Sequence, residues 1–170
     1  MSFLHTGASA ESFNNHFERA TNPGRPVRAE VSPYTYTCKV GSMNLAFYGT
    51  LRDPDILKRV TGDDLQSCFY RSIAVKGWIC LRLEGAAYPL LRSEPASTAI
   101  FHLYHDCSEV SWRRLVEYEG SEYTWIELQI EGLAYRVFMS EPSLPASSEI
   151  WDLETFQRRD KSHYLKDIFG

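Results

Sequence analysis

Positive charge is not in surplus in this 170-residue chain: eighteen Lys and Arg stand against twenty-two Asp and Glu, a formal net charge of −4. A phosphate-binding surface normally carries a basic excess, so the composition gives no support for a nucleic-acid partner. No apolar run approaches the ~20 residues that a membrane-crossing helix needs, and no Lys/Arg cluster suits an anionic bilayer. Cysteines are few. Cys38, Cys68, Cys80 and Cys107 include no C-x-x-C pair, and no secretory signal opens the chain. All four therefore read as reduced thiols packed inside a cytoplasmic protein. Metal-ligand spacing is missing too. His102 and His105 stand three apart on an expected strand and face opposite sides, and His5, His16 and His163 have no partners at ligand spacing. The G-x-S-x-G and H-E-x-x-H patterns are absent, as are the phosphate-loop and dinucleotide fingerprints.

The length suits one domain with a proper core. Residues 1–42 differ in character from the rest. "HTGASAESFNNH" and "ATNPGRPVRAEVSP" are rich in Ser, Asn, Gly and Pro, without a sustained apolar period, and the segment is near neutral. It reads as a mobile N-terminal extension ahead of a domain spanning 43–170. A second reading is that Met43 marks the original start, because strand-like sequence follows it at once.

From Met43 the pattern sharpens. "NLAFYG" predicts a short buried strand, and Asp53 with Pro54 predicts the capped start of a helix over "DPDILKRVTG", ending near Gly62. "SIAVKGWICLRLEG" predicts one or two strands, "AAYPLLRS" a strand interrupted by proline, and "TAIFHLYHD" a further strand. Ser108 caps an expected helix in "SEVSWRRLVEYEG", closed by Gly120. A hairpin is expected around Glu131-Gly132. One terminal helix is expected in "EIWDLETFQRRDKSHYLKDIF", with Trp151, Phe156, Tyr164, Leu165 and Ile168 facing the core. Mostly strands with interspersed helices argue for an α+β fold.

Two stretches could carry chemistry. In "YGTLRDP" a strand runs through a glycine-containing loop into a helix start, which gathers free backbone N–H groups and the positive end of a helix dipole. A carboxylate suits such a place, and Gly49 would let a ligand approach the backbone. In "WRRLVEYEGSEY" acidic and phenolic side chains crowd the end of a helix. Glu119 sits just before the closing glycine, where unpaired carbonyls and aromatic neighbours both raise a carboxyl pKa. A glutamate tuned this way exchanges protons near neutral pH. Glu117 points elsewhere, since successive helical residues turn by roughly 100°. Taken singly, each stretch is also compatible with an ordinary turn or a solvated helix end.

"YGTLR" followed much later by "EYEGSEY" resembles the γ-glutamylcyclotransferase-like family, with "AAYPLLRS", "AYRVF" and "WDLETF…HYL" in supporting order from about Asn44 to the last helix. The resemblance implies a small mixed β-barrel with flanking helices and a cavity at one end. It implies Glu119 as catalytic acid/base, with Tyr48, Gly49, Thr50, Leu51, Arg52, Asp53, Tyr88 and Tyr123 binding substrate. The partner would be a small γ-glutamyl compound, whose α-amine attacks its own γ-carbonyl to release 5-oxoproline. No cofactor is required, because the nucleophile belongs to the substrate. Val116, Phe101 and Trp125 depart from the family pattern, which keeps open a non-catalytic ligand-binding or protein-interaction module on the same fold. A larger γ-glutamylated metabolite would suit the same chemistry. The sequence selects neither the leaving group nor the oligomeric state.

Overall fold

Residues 42–62 and 64–170 are described by the computed structural model; residues 1–41, with Cys38, lie outside the described residues. Strand β1 (Ser42–Phe47) begins at the last residue assigned above to the extension. Its Leu45, Ala46 and Phe47 are all buried, as expected for a strand covered on both faces. A three-residue 3-10 turn, Thr50–Arg52, follows, and then helix α1 (Pro54–Thr61). The Asp53 side chain accepts from the N–H groups of Asp55 at 3.0 Å and Ile56 at 3.2 Å, and Pro54 fills the first helical position. Both end signals of α1 are as expected, Gly62 closing it at φ 80°.

Two long strands occupy the centre. β2 (Phe69–Leu83) and β3 (Pro89–Ser108) pair antiparallel along most of their length. The sequence reading divided this hairpin into three or four pieces, one of them interrupted by proline; Gly77, Pro89 and Pro95 all lie along it. The structure absorbs these residues instead. Pro89 is the first residue of β3, and the register jumps from Lys76↔Thr98 to Gly77↔Glu94, so Pro95 falls within a bulge that asks nothing of its missing N–H. Helix α2 (Glu109–Glu119) starts where the Ser108 hydroxyl accepts from Ser111 N–H at 3.1 Å and stops at Gly120, φ 68°. Trp112 stacks on Phe138 and Arg114 donates to the Thr61 carbonyl at 2.6 Å, which fixes α2 against the sheet and the end of α1. β4 (Tyr123–Ile130) and β5 (Leu133–Ser140) form the expected hairpin. Glu131 and Gly132 both take positive φ, the two-residue turn whose twist matches the strands.

The sheet order is β4-β5-β1-β3-β2-β6, where β6 is Ala146–Ile150. It is an open six-stranded sheet, not the closed barrel that the resemblance implied. β6 is only five residues long and meets β2 at Leu81 and Leu83, while β4 pairs with β5; among the described residues no pairing joins these two edges. The single terminal helix is also corrected. Its first residues belong to β6, and the remainder divides into α3 (Leu153–Arg159) and α4 (Lys161–Phe169) at Asp160. Trp151 explains the break at the start, since its backbone N–H donates to Cys80 O and its indole to Ala87 O, both at 2.9 Å. Trp151, Phe156 and Tyr164 are core residues as expected, but Ile168 is 49% exposed.

Candidate active site

The end of β1 and the end of α2 meet at one cleft. Its inner recess, about 30 Å³, is lined by Tyr48, Gly49, Thr50, Leu51, Pro89 and Glu119, with Tyr123 and Phe138 completing the wall. An outer chamber of about 190 Å³ lies against Thr50, Tyr88, Tyr118, Glu119, Tyr123 and Tyr164. Thr50, Glu119 and Tyr123 belong to both, so Glu119 faces the recess and the chamber together. The recess matches the ~30 Å³ share of a single water, hence the size of one oxygen-bearing group, whereas a cavity of ~150 Å³ already takes a benzene-sized ring.

Burial raises the Glu119 carboxyl to about 8. The sequence argument named the helix carbonyls first; the structure assigns the shift to desolvation. Tyr48 is buried beside it and titrates well above 10, through burial first and then the nearby Tyr123 and Glu119 charges. The Tyr118 and Tyr164 hydroxyls are hydrogen-bonded to each other, and both rings line the outer chamber with Thr50. Tyr123 donates to the Pro89 carbonyl at 3.3 Å. Neither cavity is lined by Lys or Arg. What the recess offers an anion is backbone: the 3-10 turn closes with Arg52 N–H on Gly49 O and Asp53 N–H on Thr50 O, so its leading N–H groups have no acceptor within the turn.

Six of the eight substrate positions expected from sequence come together around Glu119: Tyr48, Gly49, Thr50, Leu51, Tyr88 and Tyr123. Arg52 does not. It faces a different cavity, with Cys80 and Asp152. A 3-10 helix has three residues per turn, so Thr50, Leu51 and Arg52 point about 120° apart, and a turn that aims Thr50 into the cleft aims Arg52 elsewhere. Asp53 is also outside. Its carboxylate, 0% exposed, caps α1 with Oδ1 and accepts from Gln157 Nε2 at 2.7 Å and Lys161 Nζ at 2.8 Å with Oδ2. Burial alone would raise its pKa; the bonds from Lys161, Gln157 and Ile56 N–H bring it below the usual value.

Gly49 has a different reason from the one read in sequence. Its φ is −111°, and a Cβ there would meet Pro89 Cγ at 2.9 Å. The glycine lets β3 approach the loop. Sequence reasoning missed Pro89, Phe138 and Tyr164; Tyr164, read as a core position of the last helix, comes to the cleft from 46 residues beyond Tyr118. The three departures line neither cavity. Phe101 is buried with its ring edge-on to Tyr48 at 6.0 Å, Val116 is exposed, and Trp125 lies against Trp112 and Arg136. Among the described residues no group of three or more His, Cys, Asp and Glu converges as a metal site. Cys80 and Cys107 are buried free thiols.

The sequence profile of the family described as gamma-glutamyl cyclotransferase, AIG2-like, matches residues 45–153. The chain belongs to that family. Two proteins of Arabidopsis thaliana with solution structures share the fold. One is 18% identical at a TM-score of 0.50, covering 75% of this chain and 88% of its own. The other is 13% identical at 0.51, covering 78% and 83%. Part of an allophanate hydrolase of Kluyveromyces lactis is similar as well, at 16% identity and a TM-score of 0.50, across 68% of this chain and 20% of that one. Among curated proteins none matches. No helix among the described residues is long and apolar enough to cross a membrane.

Proposed function

We propose that this family member is a cofactor-independent γ-glutamylcyclotransferase, an acyl transferase whose acceptor is its own substrate's amine, with Glu119 as the acid/base. The observation that carries the reading is the position of Glu119: a half-buried carboxyl held near neutrality, sharing one recess with the Gly49–Leu51 backbone. In the reaction, Glu119 takes a proton from the α-ammonium group of a γ-glutamyl compound. The freed amine attacks the γ-carbonyl carbon and forms the new C–N bond of a five-membered ring. The oxyanion, or the substrate carboxylate, is held by the N–H groups of residues 49–51. Glu119 returns its proton to the leaving nitrogen as the old C–N bond breaks. The second proton lost by the ring nitrogen follows the same way to the departing amine, so 5-oxoproline and a protonated amine result. Holding amine and carbonyl at attacking distance supplies much of the acceleration, because ring closure needs no second reactant.

The recess admits one oxygen-bearing group of the glutamyl end, and the chamber among Tyr88, Tyr118 and Tyr164 takes the rest of the substrate. The test is 5-oxoproline release from a panel of γ-glutamyl amines and amino acids, in wild type and Glu119→Gln. Release that the substitution abolishes while binding persists supports the reading. No release from any compound, by a folded protein that still binds a γ-glutamyl ligand, favours the non-catalytic module instead.

A further inference from the structure

Arg52 has lost the role suggested by its place in the chain, and its surroundings supply another. It lines a cavity of about 640 Å³ bounded by Ile79, Ile100, Trp151, Asp152 and Glu154. This cavity shares no lining residue with the Glu119 cleft. The guanidinium is half-buried, and its Nε is a buried donor without an acceptor. Folded proteins rarely leave such a donor unsatisfied. Asp152 lies close enough for its charge to act on Arg52, yet no ion pair joins Arg52 to a carboxylate among the described residues. The Asp152 carboxylate spends Oδ1 on Thr155 N–H at 2.8 Å, and that bond holds it ionised.

Two opposite charges thus face one cavity without meeting. A simple anion on Arg52 would be repelled by Asp152 and Glu154, and a simple cation near those carboxylates would be repelled by Arg52. A zwitterion satisfies both. The remaining wall joins Ser97, Thr98 and Gln157 to a larger apolar part, in which Ile100 and Ile150 are strongly exposed; apolar ligand atoms there would cover surface that the fold leaves in water. We propose that this cavity binds a free α-amino acid with an apolar side chain, its carboxylate on Arg52, its ammonium group on Asp152 and its side chain against Ile79, Ile100 and Trp151. The proposal is independent of the reaction assigned to Glu119.

Calorimetric titration of the full chain with L-leucine tests it, alongside the two single-charge analogues 4-methylpentanoate and 3-methylbutylamine. Saturable leucine binding is expected, with each analogue weaker by about tenfold or more, the factor corresponding to ~1.4 kcal/mol. Arg52→Met and Asp152→Asn should each weaken leucine to a similar degree. Asn still offers an oxygen to Thr155 N–H, so the second variant keeps the helix cap and stays informative if the first fails to fold. Glu119→Gln, in the other cleft, should bind leucine as wild type does. Absence of leucine binding, analogues that bind as well as leucine, or loss of binding in Glu119→Gln would each overturn the assignment.

Discussion

On one side of the Thr50–Arg52 turn, Glu119 stands among tyrosines with no basic side chain lining its cavities; on the other, the Asp53 carboxylate is clasped by Lys161, Gln157 and two backbone N–H groups. Both carboxyl groups are withdrawn from water. Glu119, without a cation, is pushed up to about 8, whereas Asp53, with one, is held below the ordinary value. Burial is common to the two, so the partner decides the direction. The first group is kept in a state that can exchange a proton near neutrality. The second is kept charged, and its work is to bind α1 to the C-terminal helices.

Replacing each carboxyl separates those roles. Glu119→Gln should lower kcat for 5-oxoproline release by about 10²- to 10⁴-fold, the usual range for a positioned acid/base, while thermal stability near pH 7 rises, because the amide has no ionised form to keep out of water. Asp53→Ala should do the reverse. It takes one of two carboxylates from Lys161, leaving Asp55 Oδ2 at 2.6 Å, and it strips Gln157 of its acceptor and removes the α1 cap. A loss of about 2 kcal/mol, from the cap and the buried hydrogen bonds, is expected in urea unfolding, with the turnover of the remaining folded protein nearly unchanged. Tyr118→Phe deletes one hydroxyl of the Tyr118–Tyr164 pair and should cost about 1 kcal/mol. Arg52→Met should change 5-oxoproline release by less than about twofold, because the side chain lies outside the cleft; a larger effect would restore the substrate role read from sequence.

Stability against pH sharpens the same contrast. The depressed Asp53 carboxyl contributes stability that is fully present above its unfolded value of about 3.9 and is lost as pH falls through the lower folded value. Glu119 acts oppositely: its contribution is complete below the unfolded value and disappears as pH rises through about 8. Chemical unfolding from pH 3 to 9 should therefore show Asp53→Ala flattened at the acid end and Glu119→Gln flattened towards the alkaline end.

Local signals were legible in the sequence because their causes are local. Asp53, Ser108, Gly62 and Gly120 mark helix ends through bonds or dihedral angles within a few residues, and Glu131-Gly132 needs only its own positive φ values. For Glu119 the direction of the pKa shift was readable, but its cause is burial and not the helix end that the sequence argument named first. What escaped depends on distant partners. Whether β4 meets β6 is decided by strand length and coiling across the whole sheet, and the alternation of residues along each strand is the same either way. The joining of β3 through Pro95 depends on a register jump opposite Gly77. The direction of Arg52 was hidden by a turn of 3-10 rather than extended geometry. Tyr164 reached the cleft only because Asp160, tied to Arg82 at 2.8 Å, divides the last helix.

The most direct test of Glu119 as the acid/base is kcat for 5-oxoproline release measured from pH 5 to 10, in wild type and in Glu119→Gln, with a saturating γ-glutamyl substrate. The account predicts a wild-type rate that rises through a single ionisation near 8, and a residual rate in the variant that lacks this step. A profile that is flat across the range, or the same in both proteins, would contradict it.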